Sequence, residues 1–318
     1  MLCGVLAAFV VASLMSGFDM VFSSSRATLG VLAAAVAIYG VGFIDDLIEV
    51  SAPAKLAGMV LAGSILTLAG VSIVYFRVPF SGVVVLSADL SVLVTVLWVI
   101  GMANAVNLVD GLDGLAAGIV GIAAAAFFLY TAQLADRALL RPDNPSPLIA
   151  ATVVGVCVGF LPHNFHPART FMGDGGALLL GLLMAAATSS VGGQSRAQFS
   201  GQTYFFFAPL IIPLFILGVP ILDSIFAIVR RARSRSGVAT ADKGHLHHRL
   251  MNLGHGQRRS VLILWSWTAL LSAVVLYPTI TGKGDGLVLI GVLALALLLF
   301  TYFHPGVRAR RRGVSVEG

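Results

Sequence analysis

The sequence predicts an all-α protein that crosses a lipid bilayer about ten times. Of its 318 residues, 58% are hydrophobic and only 11% are charged, and the mean hydropathy is +0.96. The apolar residues form long runs, each close to the ~20 residues that a helix needs to cross hydrocarbon. A membrane β-barrel would show short alternating segments instead. We therefore expect a polytopic helical membrane protein.

Ten apolar runs are long enough to be spans, and polar connections separate them. The first run has no basic residues before it, which indicates a span and not a cleaved signal peptide. Residues 76–90 alternate loosely between apolar and polar, so we expect a short hairpin there. We find no internal repeat and treat 1–318 as a single membrane domain. The predicted spans are 2–22, 27–47, 55–75, 91–108, 114–134, 147–163, 175–193, 204–229, 261–280 and 285–304.

The Lys and Arg residues indicate which ends of the spans face the cytoplasm. If the connections alternate sides, 14 of the 20 basic residues fall on one side, most of them in a loop at 230–260 and a tail at 305–318. The positive-inside rule makes that side cytoplasmic. A basic loop beside anionic lipid accounts for the net charge of +6, so we expect no nucleic-acid partner. We predict a multi-pass protein of the inner (plasma) membrane.

Four connections on the cytoplasmic side are rich in acids, histidines and glycines. A single acid at the end of a span is usually a solvated helix terminus. Four such clusters on one face are not expected of solvated termini, so we predict that they meet in one cleft. The clusters are GFIDDLIEVSAPAK (42–55), NAVNLVDGLDGLAAG (104–118), HNFHPARTFMGDGG (163–176) and ADKGHLHHRL (241–250).

The first cluster contains two adjacent acids and a lysine. Asp45 and Asp46 would point about 100° apart on a helix, so we expect them to serve separate tasks. Lys55 begins the next span, where it either meets a phosphate as a point charge or anchors the helix at the interface.

The second cluster carries a polar stripe. Asn104, Asn107 and Asp110 recur every three residues and would share one helix face. Amide and carboxylate oxygens suit a hard cation such as Mg²⁺, although such a stripe also packs helix against helix through hydrogen bonds. Glycines after Asp110 allow a tight turn that places Asp113 on a separate arm.

The third and fourth clusters suit phosphates. Asp174 lies between glycines just before a span, where a helix N-terminus cradles an anion and an acid can hold a metal that bridges phosphates. Phe171 offers a flat face on which a base could stack. His245, His247 and His248 beside Arg249 suit a pyrophosphate or sugar hydroxyls. Zinc is disfavoured there because the cluster has no thiolate and no helical H-x-x-x-H pair.

Taken together, the motifs DD, NxxNxxDGxDGLAxG, FMGDxGxxxLG and HxHHRL resemble the polyprenyl-phosphate N-acetylhexosamine-1-phosphate transferase family. The chain is most similar to the bacterial undecaprenyl- and decaprenyl-phosphate GlcNAc-1-phosphate transferases, of glycosyltransferase family 4 type. The resemblance runs from about residue 40 to residue 255. Members usually have eleven spans, so it also predicts that one N-terminal span and its basic loop are missing here.

The resemblance implies transfer of GlcNAc-1-phosphate from UDP-GlcNAc to a membrane polyprenyl phosphate, with release of UMP, as the first lipid-linked step of a cell-envelope polysaccharide. It implies that Asp174 binds Mg²⁺ with help from Asn107, Mn²⁺ being an alternative ion. Asp45 or Asp46 would activate or position the lipid phosphate, and Lys55 would pair with phosphate. The remaining implied contacts are a uridine pocket of Asp110, Asp113 and Phe171, and a sugar and diphosphate site of His245, His247, His248 and Arg249.

Three further expectations accompany this reading. Dimers are common in the resembling family, so a homodimer is expected to be possible. An activity of the phospho-MurNAc-pentapeptide translocase type is the alternative within the family. A secondary transporter is the alternative from another class, but it would place charges near the middle of the membrane and show two related halves.

Overall fold

The computed structural model describes residues 1–23, 26–78, 82–192 and 253–303, together with positions 218, 219, 221, 222, 225, 250 and 251. Within these residues the chain forms ten α-helices and one two-stranded sheet, which confirms the all-α class. The helices are α1 Leu2–Ser13, α2 Asp19–Ser23, α3 Arg26–Ile48, α4 Ala52–Leu68, α5 Ala88–Val109, α6 Leu115–Asp136, α7 Ser146–Asn164, α8 Gly173–Gly192, α9 Gln257–Thr281 and α10 Gly286–Phe303.

Seven of these helices are long and apolar enough to cross a membrane, and the number is eight if α1 and the segment after it count as one span. The protein is therefore a multi-pass membrane protein, while the predicted count of ten spans is not confirmed. The eighth predicted span, 204–229, lies outside the described residues except for positions 218, 219, 221, 222 and 225.

The first predicted span, 2–22, is wrong as a single straight helix. Helix α1 ends at Ser13, and the segment Ser16–Ser23 continues at 95° to it. Met15 is extended, with φ −101° and ψ 122°, and a short 3₁₀ turn follows at Ser16–Phe18. Serine and glycine in a helix favour such breaks, because serine hydroxyls bond to the backbone and glycine favours helix only weakly.

The third predicted span, 55–75, ends earlier than expected. Helix α4 stops at Leu68, and Gly70 adopts the left-handed conformation (φ 85°) that ends helices readily. The chain then enters the expected hairpin, whose strands β1 (Tyr75–Val78) and β2 (Gly82–Val85) are antiparallel, with Tyr75 opposite Val85. The predicted hairpin is confirmed.

Helix α8 lies at the centre of the bundle: 94% of its most apolar 18-residue stretch is buried, whereas only 6% of the corresponding stretch of α10 is buried. Small residues permit this enclosure, since without a strong hydrophobic drive in lipid, helices associate where backbones approach closely. A Cβ added to Gly42 of α3 would lie 2.6 Å from the Gly175 Cα, and one added to Gly181 would lie 2.5 Å from the Ala103 Cα of α5. These contacts fix α3 and α5 against α8.

The helices alternate in direction, so the connections 49–51, 110–114 and 165–172 all lie at one end of the bundle. Direct contacts join them: Asp46 of α3 bonds to the start of α8, and Asn164 at the end of α7 bonds to Gly114 before α6. Helix α9 begins at the same end, where the Arg258 side chain bonds to the backbone of His166. Three of the four predicted polar clusters therefore meet.

Candidate active site

Asp45 organises the corner between α3 and α4. Its Oδ1 accepts a hydrogen bond from the Val50 N–H at 2.6 Å, and its Oδ2 lies 2.8 Å from the Lys55 Nζ. Ser51 is extended and proline follows in the first turn of α4, which starts that helix immediately after the corner. The corner therefore directs Lys55 back toward the end of α3.

Lys55 also forms an ion pair with the Asp174 Oδ2, so its ammonium lies between carboxylates from α3 and α8. The side chains of Lys55, Asp45 and Asp174 are 20%, 14% and 29% exposed. Charges this sheltered interact more strongly than surface pairs, because water screens them less. The Lys55 side chain therefore turns into the cluster, and its contact with a phosphate stays a prediction.

Asp46 has a different partner, as the 100° separation predicted. Its Oδ1 accepts from the Asp174 N–H at 2.8 Å and its Oδ2 accepts from the Gly175 N–H at 3.1 Å. Gly173 makes room for this contact: it has φ 65°, and a Cβ there would lie 2.5 Å from the Asp46 Oδ2. Asp46 thus caps α8 across the cleft.

This cap corrects one expectation. The N-terminus of α8 was predicted to cradle an anion of a ligand, but the Asp46 carboxylate already occupies the N–H groups of Asp174 and Gly175. The sequence could not show this, because N–H groups at a glycine-rich helix N-terminus can bind either a ligand phosphate or a carboxylate of the same chain.

The second cluster brings more acids to the same place. Helix α5 ends at Val109, and Gly114 in the left-handed conformation (φ 75°) precedes α6. Between them lies Asp110, whose pKa is raised from 3.8 to about 6, first by burial and then by the negative charges of Asp46 and Asp113. Asp110 therefore belongs to the same electrostatic site as the first and third clusters.

The polar stripe on α5 serves two purposes. The Asn104 amide donates to the Ile100 carbonyl at 2.8 Å and contacts the Met59 sulfur of α4 at 3.2 Å, which is helix packing. The Asn107 Nδ2, nearer the site, is buried and has no hydrogen-bond partner among the described residues. An unpaired buried amide is costly unless a ligand or water satisfies it. Only Asn107 and Asp110 thus remain candidates for ligand contact.

Two residues that sequence reasoning did not select hold the third cluster in place. The buried Asn164 accepts from the Gly114 N–H at 3.0 Å and donates to the Thr170 carbonyl at 2.9 Å. The His166 Nδ1 lies 2.7 Å from the Asp113 Oδ2, which also accepts from the Ala168 N–H at 3.2 Å. The available signal was the run of polar residues in HNFHPAR, where an apolar helix ends.

The remaining predicted residues divide into one that is described and four that are not. Phe171 is 76% exposed beside the cluster, so its ring is open to a ligand. His245, His247, His248 and Arg249 lie outside the described residues. Over the described ranges, no three His, Cys, Asp or Glu side chains are grouped so as to hold a metal ion by themselves.

Fold and site together define a class: a multi-pass helical membrane protein with a carboxylate-rich, lysine-bridged site at one end of its bundle. Comparison with protein families then identifies the family to which the chain belongs. The model described as Glycosyl transferase family 4 matches residues 28–192, a range that contains all three described clusters. The chain belongs to this family, as the motifs predicted.

Curated relatives agree with this assignment. A Mycobacterium leprae protein named decaprenyl-phosphate N-acetylglucosaminephosphotransferase is 36% identical over 310 residues, covering 93% of this chain and 76% of the relative. A Mycobacterium tuberculosis protein of the same name is 37% identical over 282 residues, or 86% and 69% of the two chains. A phospho-N-acetylmuramoyl-pentapeptide-transferase of Desulforudis audaxviator is 36% identical over 277 residues, or 80% and 76%.

Proposed function

We propose that this protein transfers GlcNAc-1-phosphate from UDP-GlcNAc to a membrane polyprenyl phosphate. An oxygen of the lipid phosphate attacks the β-phosphorus, the bond from that phosphorus to the oxygen bridging to the α-phosphate breaks, and UMP leaves. The observation that carries the proposal is the meeting of Asp45, Lys55 and Asp174 in one sheltered cluster. The names of the mycobacterial relatives support the same reaction.

Phosphoryl transfer between two anions requires charge neutralisation and in-line positioning more than covalent chemistry. Among the described residues, Lys55 is suited to neutralise this charge. Its ammonium can leave a carboxylate partner and bind a phosphate oxygen instead. Asp45 then becomes the acid available to position the lipid phosphate. Asp46 is unsuited to that role, since both its oxygens accept backbone hydrogen bonds at the start of α8.

The residues present fit a magnesium ion. Asp174 would supply a carboxylate oxygen and Asn107 its amide oxygen, and the buried Asn107 Nδ2, which is unpaired within the described ranges, is left to donate a hydrogen bond to a substrate oxygen. Hard oxygen donors of this kind suit Mg²⁺, which completes its shell with waters and substrate phosphates. Bound Mg²⁺, with Mn²⁺ as an alternative, would neutralise charge on the diphosphate. Asp174 and Asn107 are the residues that we propose to hold it.

The nucleotide would lie over the second cluster. Asp110 and Asp113 present carboxylate oxygens to ribose or base donors, and the exposed ring of Phe171 offers a stacking surface. His245, His247, His248 and Arg249 are proposed contacts for the sugar and diphosphate. The basic loop 230–260 and the basic tail support a location of this site on the cytoplasmic face of the plasma membrane, by the positive-inside rule.

The test is release of UMP from UDP-GlcNAc by protein reconstituted with polyprenyl phosphate and Mg²⁺. We expect Asp174→Asn to lower kcat at least ~100-fold, because it removes a charged ligand where charge must be neutralised. Asp136→Asn, an exposed acid at the opposite end of α6, is the matched control and should retain activity. Well-folded wild-type protein that releases no UMP would exclude the proposed reaction.

The peptidoglycan-type reaction is the second candidate, since the Desulforudis audaxviator relative bears that name at similar identity. The same assay separates the two when UDP-GlcNAc and UDP-MurNAc-pentapeptide are compared. The HLHHRL form favours UDP-GlcNAc. A secondary transporter is not favoured, because the described site acids lie at helix ends and not at mid-helix.

A further inference from the structure

His166 lies on the connection between α7 and α8 and faces the second cluster. Its Nδ1 is 2.7 Å from the Asp113 Oδ2. A carboxylate can only accept hydrogen bonds, so Nδ1 carries the hydrogen in this contact. The His166 side chain is 36% exposed and that of Asp113 is 18% exposed, so the bond is partly sheltered from solvent.

The backbone around His166 is held on both sides. The His166 carbonyl accepts from the Arg258 Nε at 3.3 Å, which ties the connection to α9. Asn164, two residues earlier, is buried and bonds to Gly114 and Thr170. The imidazole is therefore presented by a fixed frame, which is the condition for orienting another side chain.

The contact leaves one oxygen of Asp113 available. Oδ2 accepts from both the His166 ring and the Ala168 N–H, whereas Oδ1 has no hydrogen-bond partner within the part of the chain that the structure describes. A carboxylate held by one oxygen has a fixed plane, so the other oxygen points in a fixed direction. That oxygen can accept an O–H or N–H of a nucleotide.

We propose that His166 is a positioning residue of the nucleotide pocket: its Nδ1–H holds the Asp113 Oδ2 so that Oδ1 meets a ribose hydroxyl or a uracil N–H of the sugar nucleotide. This inference rests on the proposed function and deepens it. His166 acts through Asp113 and does not touch the reacting phosphorus, so it affects nucleotide affinity more than the chemical step.

Two substitutions of similar polarity separate this role from general packing. The Asn side-chain nitrogen lies near the position of the imidazole Nδ1, and the Gln side-chain nitrogen lies near that of Nε2. We therefore expect His166→Asn to keep KM for UDP-GlcNAc within about twofold of wild type. His166→Gln and His166→Ala should raise KM about tenfold with kcat changed much less, as expected for loss of one oriented hydrogen bond to a charged group.

A double-mutant cycle with Asp113→Asn completes the test. If His166 acts through Asp113, His166→Ala adds little to the KM increase of Asp113→Asn. Equal KM values for the Asn and Gln variants, or additive effects in the cycle, would overturn the role of His166 while wild-type UMP release remained. Absence of UMP release from folded wild-type protein would instead overturn the proposed function and this role with it.

Discussion

Lys55 contacts a carboxylate from each of two helices, so its ammonium is the described counter-charge of Asp45 and Asp174. Lys55→Gln leaves these acids facing each other without it. We expect the variant to lose about 1–3 kcal/mol of stability in EDTA, between the values for exposed and buried pairs. Added Mg²⁺ should restore more of the thermal midpoint in the variant than in wild type, because the ion supplies the missing positive charge.

The control for this prediction is Lys283→Gln, which alters an exposed lysine between α9 and α10. Its thermal midpoint should match wild type with and without Mg²⁺. If Lys55→Gln also matched wild type in EDTA, the ammonium would not be balancing the two acids.

Asp110 gives the site a pH dependence of known sign. Burial first, and then the charges of Asp46 and Asp113, raise its pKa from 3.8 to about 6. The folded protein therefore binds this proton more tightly than the unfolded chain does, and the free energy of unfolding falls as the pH rises from about 4 to about 6. Above that range the destabilisation is complete.

Asp110→Asn removes the ionisable group, and with it the fall in the free energy of unfolding as the pH rises. We expect the variant to be more stable than wild type in EDTA, with a gain larger at pH 8 than at pH 5 by about 1 kcal/mol. Thermal midpoints of the two proteins at the two pH values measure the difference. A gain that is equal at both would mean that Asp110 titrates normally.

At the scale of elements, the central relation is between the end of α3 and the start of α8. Asp46 satisfies two N–H groups that α8 cannot satisfy itself, and its charge lies at the positive end of the helix dipole. The adjacent Asp174 is a proposed metal ligand, so the cap also fixes the first turn that carries it.

Asp46→Ala is expected to cost about 1–2 kcal/mol of stability, as loss of a helix cap does, and Asp46→Asn about half of that, because the amide keeps one acceptor. Activity should fall in the same order, with Asn retaining more than Ala. Glu49→Gln, an exposed acid just beyond α3, is the control. Full loss of UMP release in Asp46→Asn with unchanged stability would show that Asp46 takes part in the chemistry.

At the scale of the whole molecule, most of the span order followed from apolar run length. Helices α3, α5, α6 and α7 lie within a few residues of their predicted ranges, since the polar connections define their ends. The break after Ser13 was missed because no proline marks it, and because Ser16, Gly17 and Asp19 are too few to interrupt an otherwise apolar run. The early end of α4 at Leu68 was missed because the following residues are equally apolar.

The site was predicted in its composition and less well in its contacts. Motifs identified Asp45, Lys55, Asp110 and Asp174 because acids and lysine are unusual among apolar runs. The role of Asp46 as a cap and that of His166 as a partner of Asp113 depend on contacts between residues far apart in sequence, which no local pattern encodes. Sequence spacing also could not separate Asn104, which packs helices, from Asn107.

The enclosure of α8 has a consequence for how the protein is made. Synthesis runs from the amino terminus, so α3, α5 and α7 enter the bilayer before the helix that they surround. Until α8 is inserted, the face of α3 around Gly42 and the face of α5 around Ala103 contact lipid or each other. Asp46 then has no N–H groups to cap. The insertion of this small-residue helix therefore joins α3 to α5 and supplies the N–H groups that Asp46 caps.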